Sequence, residues 1–210
     1  MPQLKSRLLI VTDRKQTSGR PLISVLEQAL RGGVTAVQVR ERDLSAQALL
    51  ALAREMRGLA DPASCRLLIN DRVDLALAME HAGVHLRSDS LPVAVARRLV
   101  GPDRLVGVSA HSGEEVLRAE SEGADYVVFG PLYATPSKAP FGPPLGLHEL
   151  ETICARVRVP VLGIGGITAA RARDVRRAGA FGVAVISAIL SAPDVERAAR
   201  DLVDAVSSSP

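Results

Sequence analysis

Eight short apolar runs, spaced along a chain of 210 residues, limit what this sequence can fold into. They are Leu8–Val11, Ala36–Val39, Leu67–Ile69, Val84–Leu86, Leu105–Val108, Tyr126–Phe129, Val161–Ile164 and Val183–Ile186. A continuous apolar run suits a parallel strand covered on both faces. Amphipathic stretches separate most of the runs. Residues 20–32 carry Leu22, Val25, Leu26 and Ala29 at helical spacing and end in Gly32-Gly33, and residues 45–57 repeat the pattern behind Ser45, a fitting N-cap. Ser112 and Thr168 stand in the same capping position before later helices, Ser112 with Glu115 as a capping box. A sustained βαβα alternation predicts a parallel sheet. Eight such units without a long insertion predict a single compact α/β domain, a (β/α)8 TIM barrel over residues 1–206, with a disordered tail at 207–210. A doubly wound open sheet is the rival, and periodicity alone does not separate the two.

A barrel of this kind carries its active site at the C-terminal ends of its strands. The runs are followed there by Thr12-Asp13, Arg40-Glu41, Asn70-Asp71, Arg87-Ser88, Ser109-Ala110-His111, Gly130-Pro131, Gly165-Gly166 and Ser187, mostly glycine or polar residues of catalytic type. Gly165 and Gly166 let backbone amides approach a ligand, Thr168 caps the next helix, and Ser187 ends the eighth run. Loops after strands seven and eight often bind phosphate in barrels, which favours an anion site here over a mere tight turn. Strand alternation puts Gln38 and Arg40 on one face. Two readings are open for Arg40: a phosphate or diphosphate ligand, or a structural pair with Asp71 or Glu41. Asn70-Asp71 read alone is better taken as a cap for a helix starting at Arg72 than as a metal site. The longest loop, residues 130–146, is rich in Gly and Pro and carries Thr135, Ser137 and Lys138 above the expected site. His111 is read as a structural or capping residue, and no catalytic triad or paired-carboxylate set is evident.

Composition narrows the partners. Aromatic residues make up 2% of the chain, too few for base-stacking platforms, and there is no dense Lys/Arg tract, so nucleic acid is not expected. The net charge of +3 fits a mixed solvated surface, or more sharply a basic pocket for small anions. No run approaches the ~20 apolar residues of a membrane span, and the first residues show no secretory h-region. Cys65 and Cys154 have no metal or redox spacing, so a reduced, cytoplasmic protein is expected, with a homo-oligomer left open.

Seven motifs in order resemble the thiamine phosphate synthase family and its sister, the aromatising thiazole tautomerases: QVRERD at 38–43, INDRVD at 69–74, GVHL at 83–86, GVSAHS at 107–112, GADYVVFGPLYATPSK at 123–138, GIGGIT at 163–168 and VISAI at 185–189. The resemblance runs from Leu8 to about Ala199. It implies small phosphorylated substrates: a hydroxymethylpyrimidine diphosphate that loses pyrophosphate to the nitrogen of a hydroxyethylthiazole phosphate. It implies that Gln38, Arg40, Glu41, Arg42, Asn70, Ser109 and Lys138 bind the pyrimidine diphosphate, with Arg40, Lys138 and Ser109 acting in catalysis. Thr135, Ser137, Gly166, Ile186 and Ser187 match the thiazole phosphate site, and Asp71 matches one Mg²⁺ ligand. Two positions depart from the synthase pattern. Arg42 stands for Lys, and Arg87-Ser88-Asp89-Ser90 stands where the family reads GQED, so Ser90 holds the place of the second Mg²⁺ ligand, with Asp89 one residue early. The tautomerases carry a catalytic His where this chain has Pro131, whereas INDRVD reads like their branch. A tautomerase, or a thiazole-phosphate-binding barrel without turnover, is the alternative.

Overall fold

The structure is a computed structural model that describes residues 4–59, 64–135 and 143–207. Eight parallel strands close into a barrel: β1 Leu8–Val11, β2 Ala36–Val39, β3 Arg66–Asn70, β4 Gly83–Leu86, β5 Val106–Ala110, β6 Tyr126–Phe129, β7 Val161–Ile164 and β8 Gly182–Val185. Closure is direct. Leu8, Leu9 and Ile10 of β1 pair with Val183, Ala184 and Val185 of β8, which eliminates the open sheet. The strands lie within one or two residues of the apolar runs. The main shift is in β5, which continues through Ser109 and Ala110 and so carries Ser109 as a strand residue.

The outer layer consists of α1 Leu22–Arg31, α2 Ala46–Gly58, α3 Val73–Leu77, α4 Val93–Val100, α5 Gly113–Ser121, α6 Gly146–Cys154, α7 Ala169–Arg177, α8 Ser187–Leu190 and α9 Val195–Ser207. Ser45, Ser112 and Thr168 cap α2, α5 and α7, each side-chain oxygen accepting from the backbone N–H three residues on. The capping box on α5 is modified: the Glu115 carboxylate accepts from the N–H of His111 at 2.6 Å, one residue before the cap. The helix after β3 begins at Val73 with no side-chain cap, so neither Asn70 nor Asp71 serves that purpose. Asp71 instead takes a left-handed backbone, φ +62°. The last helix runs through Ser207, one residue past the expected domain end, and residues 208–210 lie outside the described residues. Gly32, at the end of α1, lets α9 approach closely: a Cβ there would stand 2.5 Å from the Glu196 carbonyl oxygen.

Two apolar layers result. A large one, from Leu8 through Val206, seals the barrel against its helices. A small one fills the barrel itself with Leu9, Val11, Ala36, Leu68, Leu105, Tyr126, Val128, Leu162 and Ala184. The Tyr126 ring crosses the interior, and its space is made by Gly107, where a Cβ would lie 2.0 Å from the ring. Cys65 and Cys154 are free thiols. Among the described residues no helix is long and apolar enough to cross a membrane.

Candidate active site

Side chains on a strand alternate, so the positions two residues beyond the inner apolar layer also face inward, at the C-terminal mouth. From Ala36 this gives Gln38 and then Arg40; from Leu68, Asn70; from Leu162, Ile164; from Ala184, Ile186. His85 pairs in register with Asn70 and Gly107, and Ser109 follows Gly107 by two. On β2 to β5 polar residues therefore replace apolar ones at the top of the apolar core, while Ile164 and Ile186 keep the β7 and β8 side apolar. They line a cavity of about 1010 Å³ together with Arg42, Thr135, Gly166 and Ser187.

Gln38 is buried, and its amide nitrogen has no hydrogen-bond partner among the described residues. A buried donor left unmade is costly, so it is poised for an acceptor supplied from the cavity. The strand ends here are fixed by Thr12, whose N–H donates to the Gln38 carbonyl and whose hydroxyl accepts from the Arg40 N–H, both at 2.9 Å. No carboxylate of the described residues forms an ion pair with Arg40. The two pairs that competed for it in the sequence are both taken. Glu41 turns away from the cavity and accepts from the backbone N–H and guanidinium of Arg14 at 3.1–3.2 Å. Asp71 faces Arg87, with 3.6 Å between Oδ2 and Nη1. Burial first, and the charge of Arg42 second, lower the Arg40 pKa from its ordinary value. Asp13 and Glu41 act the other way from a distance, so the desolvation of the guanidinium, which remains charged, is offset only in part.

His85, which no motif spacing marks, is buried in the cavity wall and joins two residues: Nδ1 lies 2.9 Å from the Tyr126 hydroxyl and Nε2 lies 2.9 Å from Ser109 Oγ. Burial, and then the charge of Arg40, push its pKa down to about 3, so the imidazole is neutral. The signal for it was a lone polar residue between Val84 and Leu86 at an inward position. His111 also lines the cavity, its Nδ1 2.5 Å from the Gly130 carbonyl oxygen.

Across the mouth, Gly165 and Gly166 both adopt left-handed backbones, φ +99° and +65°. A Cβ on Gly166 would approach the Tyr133 Cβ to 2.9 Å. Arg171, unmarked by any motif, donates to the Gly166 carbonyl at 2.7 Å and lies 4.4 Å over the Tyr133 ring, also within the cavity lining. Ile186 and Ser187 line the same side. Ser137 and Lys138 lie outside the described residues.

Asp71, like Ser90, is outside the cavity lining, next to Asn70 which belongs to it; its Oδ1 is buried with no partner among the described residues, an acceptor fit for a cation or a donor. Asp89 is otherwise engaged, both of its oxygens accepting from Arg87. Ser90 is outside the cavity lining, its N–H closing a turn onto the Arg87 carbonyl at 3.2 Å. Among the described residues no cluster of three His, Cys, Asp or Glu side chains could hold a metal on its own.

A family model described as thiamine monophosphate synthase matches residues 8–189. The thiamine-phosphate synthase of Roseiflexus castenholzii is 47% identical over 97% of this chain and 89% of its own. That of Moorella thermoacetica is 45% identical over 98% and 97%. The solved thiamine phosphate pyrophosphorylase of Pyrococcus furiosus superposes with a TM-score of 0.87 at 35% identity, covering 97% of this chain and 96% of that one. A 3-hexulose-6-phosphate synthase, at 17% identity and a TM-score of 0.72 over 95% of this chain and 99% of that one, shares the fold alone.

Proposed function

Since the chain belongs to the thiamine monophosphate synthase family, we propose that the cavity at its barrel mouth is where a hydroxymethylpyrimidine diphosphate and a hydroxyethylthiazole phosphate are joined. The protein is a thiamine-phosphate synthase, a transferase of thiamine biosynthesis. In the reaction the bond between the pyrimidine methylene carbon and the diphosphate oxygen breaks. The electron pair leaves with pyrophosphate, and the thiazole nitrogen supplies its lone pair to the same carbon. The observation that carries the assignment of residues is Arg40, half-buried and in no ion pair among the described residues, on the same strand face as the Gln38 amide nitrogen that has no partner among them, two groups that a diphosphate and its pyrimidine would satisfy.

Gln38, Arg40, Arg42, Asn70 and Ser109 form the pyrimidine diphosphate side in this reading. Arg40 and Arg42 hold the diphosphate and stabilise the charge that collects on it as the carbon–oxygen bond lengthens. Lys138 is assigned to the same task on its family motif. Glu41 acts one step removed, fixing Arg14 rather than touching substrate. Thr135, Gly166, Ile186 and Ser187, with Ser137 assigned by motif, form the thiazole phosphate side, where backbone amides freed by glycine can meet phosphate oxygens. A cavity of about 1010 Å³ is ample for two small substrates in contact. The pyrimidine's own amino group can support positive charge on its methylene carbon, so the protein needs to supply position and electrostatics rather than a nucleophile. Pro131 lines the cavity where the tautomerase branch needs a proton-transferring His, and a proline ring has no proton to give.

The family works with a metal ion, which we assign as Mg²⁺. The free oxygen of Asp71 fits it, since Mg²⁺ commonly takes one or two carboxylates and completes its shell with phosphate oxygens and water. Such an ion would neutralise charge on the departing diphosphate. Among the described residues we assign Asp71 as the protein's carboxylate for it, with Asp89 held by Arg87 and Ser90 uncharged. Thiamine phosphate made from the two substrates by purified protein, read as thiochrome fluorescence after oxidation, tests the assignment; its absence under saturating substrates and Mg²⁺ overturns it.

A further inference from the structure

We propose that Arg87 is a further diphosphate-binding residue, a fixed cation at the end of β4 that binds the leaving group directly. The proposal rests on the synthase reading of the cavity. Arg87 follows His85 by two residues and so continues the inward face of β4 into the cavity wall, where it joins Arg40 and Arg42. Its guanidinium is held from one edge. Nε donates to Asp89 Oδ1 at 2.8 Å, and Nη2 donates to Asp89 Oδ2. Nη1 stands 3.6 Å from Asp71 Oδ2, beyond hydrogen-bond distance. A guanidinium has five N–H groups in a planar fork, and Asp89 uses two of them. Both hydrogens on Nη1 and one on Nη2 are left for an acceptor, on the edge suited to bidentate contact with phosphate oxygens.

The electrostatics favour the same reading. Asp89 and Asp71 fix the guanidinium in place, which lowers the ordering cost of using it. Asp71 keeps Oδ1 for a cation, but Arg87 takes both oxygens of Asp89, and Ser90 contributes no charge. The segment that would supply a second carboxylate to a metal supplies a positive charge in its place. Two consequences follow. The protein holds a diphosphate appreciably without a metal, and the charge of Arg87 weakens binding of a divalent cation at Asp71.

The test is calorimetric titration of inorganic pyrophosphate into metal-free protein in EDTA, using wild type, Arg87→Gln and Arg87→Lys. Arg87 is partly exposed, so neither change opens a core cavity. Loss of charge-assisted hydrogen bonds predicts a loss of affinity of about tenfold or more in Arg87→Gln, with part of it restored in Arg87→Lys. Binding of Mn²⁺ alone, followed by electron paramagnetic resonance, tightens in Arg87→Gln. No pyrophosphate binding to metal-free wild type, or an Arg87→Gln affinity within about twofold of it, overturns the proposal. Thiamine phosphate formation by wild type separates the two failures. Product made while Arg87→Gln binds pyrophosphate normally removes Arg87 and leaves the synthase, whereas no product removes the synthase reading.

Discussion

His85 Nε2 lies 2.9 Å from Ser109 Oγ, and the far side of the same ring lies 2.9 Å from the Tyr126 hydroxyl. A neutral imidazole has one donor and one acceptor. Tyr126 has no other hydrogen-bond partner among the described residues, so its O–H donates to Nδ1. His85 then donates from Nε2 to Ser109, and the Ser109 proton is free to be donated into the cavity. Ser109→Ala should lower kcat/KM for the pyrimidine diphosphate by roughly 10- to 100-fold, the range for a hydrogen bond to a charged group. Steady-state kinetics check this, and an unchanged kcat/KM removes Ser109 from the mechanism.

The same buried ring makes stability depend on pH. The folded-state pKa of His85 is about 3, against about 6.5 in the unfolded chain. Below pH 6.5 the unfolded state binds the proton and the folded state does not, so stability falls as pH falls, until the folded form titrates near 3. Between pH 7 and pH 5 this one group removes about 2 kcal/mol. Urea unfolding at the two pH values should show that loss in wild type and lack it in His85→Gln. Equal losses in both would mean that His85 is not buried neutral.

Gly166→Val should weaken binding of the thiazole phosphate. The position has φ +65°, which a β-branched residue resists, and a Cβ there meets Tyr133 at 2.9 Å. Calorimetric affinity should fall by at least about tenfold, together with about 1–2 kcal/mol of stability for the strained backbone. Wild-type affinity in a folded variant would move the phosphate site elsewhere.

Asp71→Asn isolates the carboxylate charge, because Asn also accepts a left-handed backbone. The Mg²⁺ concentration for half-maximal rate should rise about tenfold or more, with the melting temperature little changed. Ser90→Asp should move it the other way by adding a second acid. If neither substitution shifts the Mg²⁺ dependence, the metal is not held beside this loop.

Much of the fold was legible because each strand is a self-contained apolar run; eight of them alternating with helices fit a barrel or an open sheet, and closure shows only in the long-range pairing of β1 with β8. The helix caps at Ser45, Ser112 and Thr168 were legible for a similar reason, since a hydroxyl three residues ahead of an orphan N–H is a local device. The residues gathered at the strand ends were legible by alternation. Glu41 obeys the same alternation: it sits between Arg40 and Arg42, and its own parity turns it away from the cavity, onto Arg14. The fate of Asp71 was not local. Its left-handed backbone and its approach to Arg87 depend on two neighbouring strands, which no spacing in the chain announces. Arg171 was hidden for the same reason, its place over Tyr133 being set by the loop after β6.

We propose that this barrel mouth joins two phosphorylated substrates and expels pyrophosphate. Pyrophosphate release should therefore be measured with hydroxymethylpyrimidine diphosphate and Mg²⁺, in the presence and absence of hydroxyethylthiazole phosphate. Release that requires both substrates and equals the thiamine phosphate formed is the predicted result. Release that is absent, or that proceeds without the thiazole phosphate and yields no thiamine phosphate, would contradict it.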